Sequence, residues 1–237
     1  MQEFVEGFLM IIVYFIICAS LALLLRCFVR VPREVFRKIL HFILLGSSFF
    51  WVFAFSTWWI AALSSLGFAI AIYPILSIME RFKGYSQLLT ERKSGEIKKS
   101  LLIVFTMFAL VITVCWGLVG DQLLVLACIF AWGFGDAAAA LIGKRIGKRK
   151  LIGKYIEGKK TLEGTLAMFV VSFLSVLVIL LIRGELDWYS YILISLVTAA
   201  VSAVTELYTS NGMDTITCPV ASMIVLLPLM YLFGGIG

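Results

Sequence analysis

Charge is scarce in this chain. Asp, Glu, Lys and Arg make up 14% of its 237 residues, where soluble domains carry about 25%. Hydrophobic residues reach 62%, and mean hydropathy is +1.06. Such a composition excludes a water-soluble globular domain, a disordered region and a secreted disulfide scaffold; it is that of an integral membrane protein with little outside the bilayer. Histidine is scarcer still. His41 stands alone, so a His-based metal cluster is impossible, and any metal must be held by carboxylates, the ligands of Mg²⁺ or a similar hard ion. CxxC pairs are lacking as well: Cys18, Cys27, Cys115, Cys128 and Cys218 each sit in or beside an apolar run, where small buried hydrophobes are expected. There is no internal repeat of 20–50 residues and no low-complexity segment. Gly153-xxxx-Gly158-Lys159 comes close to a Walker A loop, but Lys160 stands where Ser or Thr is needed and no buried strand precedes it, so a P-loop is excluded.

What is present is a series of long uncharged runs. A membrane-spanning helix needs about 20 apolar residues, and the runs predict an all-α, polytopic protein of eight transmembrane helices at about 7–25, 38–55, 58–79, 100–120, 121–143, 163–182, 188–206 and 215–235, forming a single transmembrane domain. The first span does not read as a cleaved signal peptide, because Glu3 and Glu6 precede it and the basic residues follow it. Of the 20 Lys and Arg residues, all but Arg183 lie in three loops, 26–38, 80–99 and 144–162. All three are odd-numbered loops and so share one side. The positive-inside rule makes that side cytoplasmic and puts both termini outside. The even-numbered loops are short and hold Asp121, Glu185 and Asp187. The seventh loop, 207–214, falls on the cytoplasmic side and is polar and turn-like rather than basic. The net charge of +6 follows from this distribution, and no nucleic-acid partner is expected.

Ionisable residues inside a span are expensive and mark functional sites. Four acids qualify: Asp136, Glu163, Glu206 and Asp214. Asp136 follows Trp132-Gly133-Phe134-Gly135 and precedes four alanines. It lies seven residues before Gly143, about 10 Å below the cytoplasmic end of its span, and the glycines and alanines permit close helix approach or local unwinding. The alternative is an acid paired with a Lys or Arg of a neighbouring helix. In Gly158-Lys159-Lys160-Thr161-Leu162-Glu163-Gly164-Thr165, Thr161 is a candidate N-cap, and a helix N-terminus preceded by two lysines is an anion site by amide donors, dipole and direct charge together. Glu206 and Asp214 bracket the seventh loop. Entering from one hairpin near Asp136 they would make a cation site; alternatively Asp214 with Thr215 caps the last helix. Arg37, Lys38 and His41 share a helical face, where a lone His also serves as a structural residue. Acids inside the membrane and bases at its rim thus lie on one side, and carboxylates, Mg²⁺ and Lys or Arg are the ordinary equipment for handling a nucleotide's phosphates.

The RKxxH pattern at Arg37–His41, the GD-small-small run at Gly135–Ala138 leading to Gly143-Lys144-Arg145, the KTxEG at Lys160–Gly164 and the Glu206…Asp214 pair before Pro219 resemble the dolichol kinase and phytol kinase family, which also includes the CTP-dependent diacylglycerol kinase. The resemblance covers about residues 33–235. It implies a kinase of the cytoplasmic membrane, if the source is prokaryotic, moving the γ-phosphate of CTP from the cytoplasm onto a lipid alcohol from the bilayer with a divalent cation. On that basis Asp136 and Asp214, assisted by Glu206, would hold Mg²⁺. Lys159, Lys160 and Thr161 would bind phosphate, while Arg37, Lys38, Lys144 and Arg145 would draw in the nucleotide. Glu163 or Asp136, and after them His41, would orient or deprotonate the hydroxyl. Where the family usually has Asp-Asn, this chain has Asp214-Thr215, which keeps an oxygen and loses the amide. The chain is short beside the dolichol kinases, which favours a phytol-like or diacylglycerol-like acceptor. The family is distantly similar to the phosphatidate cytidylyltransferases, which attack the α-phosphate of CTP, so a CDP-lipid-forming enzyme is the alternative. A transporter or flippase for an anionic solute is the alternative from another class; it should show paired halves with matching broken helices, which the sequence lacks.

Overall fold

The computed structural model describes residues 2–82, 84–91, 95–153, 156, 158, 160–210 and 212–236. Among the described residues it is all helix: α1 (Gln2–Phe28), α2 (Arg33–Phe53), α3 (Trp58–Met79), a single turn α4 (Tyr85–Leu88), α5 (Glu96–Val111) continuing as a π-helical stretch over Ile112–Leu118, α6 (Gln122–Ile146), α7 (Leu162–Arg183), α8 (Trp188–Tyr208) and α9 (Asp214–Leu232). Eight of these segments are long and apolar enough to cross a membrane, in the places the uncharged runs predict. The helices outrun the apolar runs at most ends, because only a helix satisfies the backbone as it leaves the hydrocarbon, and they stop where the chain supplies a breaker. Pro32 precedes α2, Gly184 ends α7 with φ +77°, and Gly234, with φ +71°, follows α9 and ends it short of the expected residue 235. The exposed surface is apolar, with Ile16, Ile70 and Leu181 among its side chains. In water that surface would be costly; in lipid it is the required outer face, and the chain is an integral membrane protein.

The chain divides into two compact units, Met1–Thr113 and Val114–Gly237. The first unit is held by aromatic rings: Phe68 and Phe105 meet edge to face at 4.9 Å, with Trp51 and Phe15 packed around them. Its helix ends are tied by charge. Glu3 accepts hydrogen bonds from the Ser56 and Thr57 amides at 2.6 and 3.1 Å, closing the N-terminus of α3, and Lys98 pairs with Glu80 at 2.9 Å.

The second unit is built on close contact between α6 and α7. Gly135, Ala139, Gly143 and Gly147 recur every fourth residue and so form one small-residue stripe. A Cβ at Gly135 would lie 2.4 Å from Ser172 Oγ, one at Gly147 would lie 2.6 Å from Thr161 Oγ1, and one at Gly164 would meet the Ala139 carbonyl at 3.0 Å. Ser172 donates to the Ala131 carbonyl at 2.5 Å, satisfying its hydroxyl inside the bundle. Gly164→Ala should therefore force the two backbones apart and cost about 1–2 kcal/mol, measured as a lower midpoint of thermal unfolding in detergent; an unchanged midpoint would mean the helices have room to spare.

Candidate active site

Four helix ends meet at one end of the second unit: the C-termini of α6 and α8 and the N-termini of α7 and α9. The meeting is built locally. Thr161 is the N-cap of α7, its hydroxyl accepting from the Gly164 amide at 3.2 Å. Residues 149–151 and 160–162 pair as a short antiparallel bridge, with the Leu151 amide donating to the Lys160 carbonyl at 3.0 Å and the Leu162 amide to the Arg149 carbonyl at 2.9 Å. Glu163, in the first turn of α7, accepts from the Arg149 amide at 3.3 Å with both carboxylate oxygens. Its carboxylate thus closes the loop onto the helix it favours electrostatically. Glu163, expected as a partner of the lipid hydroxyl, thus also anchors the loop.

Lys160 and Glu206, given separate tasks by the sequence, are partners: Nζ lies 2.9 Å from Oε1, with both side chains largely buried. The same ammonium donates to the main-chain carbonyls of Glu206 and Thr209, the latter at 3.0 Å. Thr209 Oγ1 in turn lies 3.0 Å from Thr217 Oγ1, linking the seventh loop to the first turns of α9. Nothing in the sequence pattern singled out this threonine pair.

Asp136 sits half-buried in the middle of α6, ten residues before its end at Ile146, about 15 Å along the axis. Asp214 is the first residue of α9, following Met213 at the N-cap, and so lies in the first turn, where a carboxylate is favoured by the helix dipole. Asp136, Glu206 and Asp214 come from three helices of the second unit, α6, α8 and α9, and Cys218, one turn beyond Asp214, is fully buried. Lys144 and Arg145 lie exposed in the last turn of α6, with Lys148, Arg149 and Lys150 exposed beyond them. Lys159 lies outside the described residues. Arg37, Lys38 and His41 belong to α2 of the first unit. There Arg37 pairs with Glu96 at 2.7 Å and with Glu34 at 3.9 Å, and His41 meets the Phe42 ring edge to face at 6.1 Å.

Among the described residues, no group of three or more His, Cys, Asp or Glu side chains forms a ready-made metal cage. Mg²⁺ is ordinarily held by one or two protein carboxylates, with water and substrate phosphate completing its shell. Asp136 and Asp214, hard oxygen donors on α6 and α9 of the same unit, have the chemistry that this requires. Chemically, then, this end of the unit combines cations for an anion, a helix N-terminus, and carboxylates at membrane depth.

No protein-family profile matches the chain, and no solved structure matches it. A phytol kinase from Synechocystis sp. is 29% identical over 216 residues, covering 86% of this chain and 83% of that protein.

Proposed function

We propose that this chain is a lipid-alcohol kinase, transferring the γ-phosphate of CTP to the hydroxyl of an isoprenoid alcohol such as phytol. The observation that carries the reading is that Glu206, at the end of α8, and Asp214, at the start of α9, are tied through Lys160 and Thr209 to the Thr161-capped N-terminus of α7, with Asp136 deeper in the neighbouring α6. The similarity to a phytol kinase supports the acceptor class, and the motif resemblance supports CTP as donor.

Phosphoryl transfer is mostly positioning and charge neutralisation. The exposed Lys144 and Arg145 draw the nucleotide to the α7 N-terminus, whose amides and dipole receive phosphate oxygens. A divalent cation, when bound, supplies the remaining neutralisation of phosphate charge, and Asp136 and Asp214 would hold it. The acceptor oxygen forms a bond to the γ-phosphorus as the bond to the β-bridging oxygen breaks, and CDP leaves. The hydroxyl proton passes to a carboxylate of the site. Asp136, deepest among apolar residues, is the one in reach of an alcohol whose tail stays in lipid.

The test uses purified protein, Mg²⁺ and γ-³²P-labelled CTP with diacylglycerol, phytol, geranylgeraniol and polyprenols. Label in an organic-phase lipid is the expected result, in phytol or geranylgeraniol first. Pyrophosphate released on adding phosphatidic acid, without lipid label, would transfer the chain to the cytidylyltransferases. Neither signal from folded protein would put the transporter reading in front.

A further inference from the structure

The lysine beside the helix N-terminus is the one whose role the structure redefines. An ammonium has three protons to donate and no lone pair. The ammonium of Lys160 donates to the Glu206 carbonyl and to the Thr209 carbonyl at 3.0 Å, and forms an ion pair with Glu206 Oε1 at 2.9 Å. These partners are all protein oxygens of α8 and its C-cap. Two of these are carbonyls at the C-terminus of α8, where the helix dipole is negative and a cation is favoured. The lysine's own backbone is fixed by the pairing of Leu151 with its carbonyl. Its side chain therefore bridges a rigid point at the start of α7 to the end of α8. From Thr209 the linkage continues through the 3.0 Å contact to Thr217 into α9, beside Asp214 and the buried Cys218.

From this geometry we infer that Lys160 is a positioning residue and not a phosphate ligand: it clamps the α8–α9 hairpin to the N-terminus of α7 and so sets Glu206 and Asp214 against the anion site. The inference deepens the kinase reading and, where it concerns nucleotide, rests on it. Phosphate is left to the α7 amides and to the exposed cations Lys144 and Arg145.

The two roles give opposite results in Lys160→Met. A clamp, once cut, frees the hairpin. Cys218, mapped by mass spectrometry after treatment of the detergent-solubilised protein with a water-soluble maleimide, should then react about tenfold faster than in the wild type, as local opening brings the thiol to water. Equilibrium affinity for CTP should stay within about twofold, and kcat should fall while KM for CTP holds. Lys160→Arg, which keeps the charge and the donors, should restore protection of Cys218. Cys218 remaining protected while CTP affinity falls about tenfold would make Lys160 a phosphate ligand and overturn the inference. If the Met variant does not fold, Glu206→Gln is read in the same way: faster alkylation supports the clamp, and a protected thiol with weakened CTP binding overturns it. A wild type that binds no CTP would defeat the kinase reading alone, because the alkylation of Cys218 decides the clamp without nucleotide.

Discussion

Asp136→Asn is expected to lower phosphoryl transfer about a thousandfold, close to 4 kcal/mol on the barrier, while the protein still inserts, folds and melts as the wild type does. The substitution keeps the size of the side chain and its place in α6, half-buried between Gly135 and Ala137. It removes the negative charge, and with it both capacities asked of this residue: ligation of a hard cation and acceptance of the hydroxyl proton. An amide oxygen is a weaker donor to Mg²⁺ and no base at all. Initial rates with γ-labelled CTP across a Mg²⁺ series, beside a thermal melt in detergent, separate the possibilities. A variant with wild-type turnover would take Asp136 out of the chemistry. A variant that fails to fold would make it a structural acid, the alternative its sequence position also allowed.

Arg183→Leu should produce the largest loss of stability, about 3 kcal/mol. Arg183 is the one basic residue outside the three basic loops, and the structure supplies its reason. Its guanidinium donates to Asp121 Oδ2 and to the Gly235 carbonyl, and it lies 3.6 Å from Glu185. Asp121 uses its other oxygen to cap α6, accepting from the Leu123 and Leu124 amides at 2.9 and 3.2 Å. One residue thus ties the end of α7 to the start of α6 and to the segment after α9. At 11% and 15% side-chain exposure both partners are shielded enough from water for the loss of one to leave the other poorly compensated. Asp121→Asn in the same chain should recover part of the loss, because Asn still caps the helix without a stranded charge. Melting midpoints of the two single variants and the double variant give the coupling; an Arg183→Leu protein as stable as the wild type would mean the pair contributes nothing.

Much of the architecture is legible in the chain itself, because the bilayer imposes a length. Uncharged runs mark all eight long apolar helices among the described residues, one run, 39–79, holding two of them, and the expected third span coincides with α3 at 58–79. Thr161 reads as an N-cap and is one, since capping depends on a few neighbouring residues. The glycines and alanines around Asp136 read as a close-approach surface, and α7 lies against them with no room for a Cβ at Gly135 or Gly147. Their four-residue spacing carries that information locally.

Roles that depend on a partner from another helix are not legible in this way. The sequence shows that Lys160, Glu163 and Glu206 are charged residues at a membrane rim, and charge alone suits a phosphate, a proton or a cation. Which one each residue meets is set by where α7, α8 and the paired residues 149–151 and 160–162 come to rest: Glu163 on the Arg149 amide, Lys160 on Glu206 and the end of α8, Thr209 on Thr217. Composition and hydropathy by themselves determined the eight helices, among the described residues, that are long and apolar enough to cross a membrane, because burial of backbone in lipid leaves a helix of fixed length as the solution. Tertiary structure alone decided which acid meets Lys160 and which lysine holds the hairpin, because hydrogen bonds and ion pairs act over about 3 Å, a distance only the packed helices bring about.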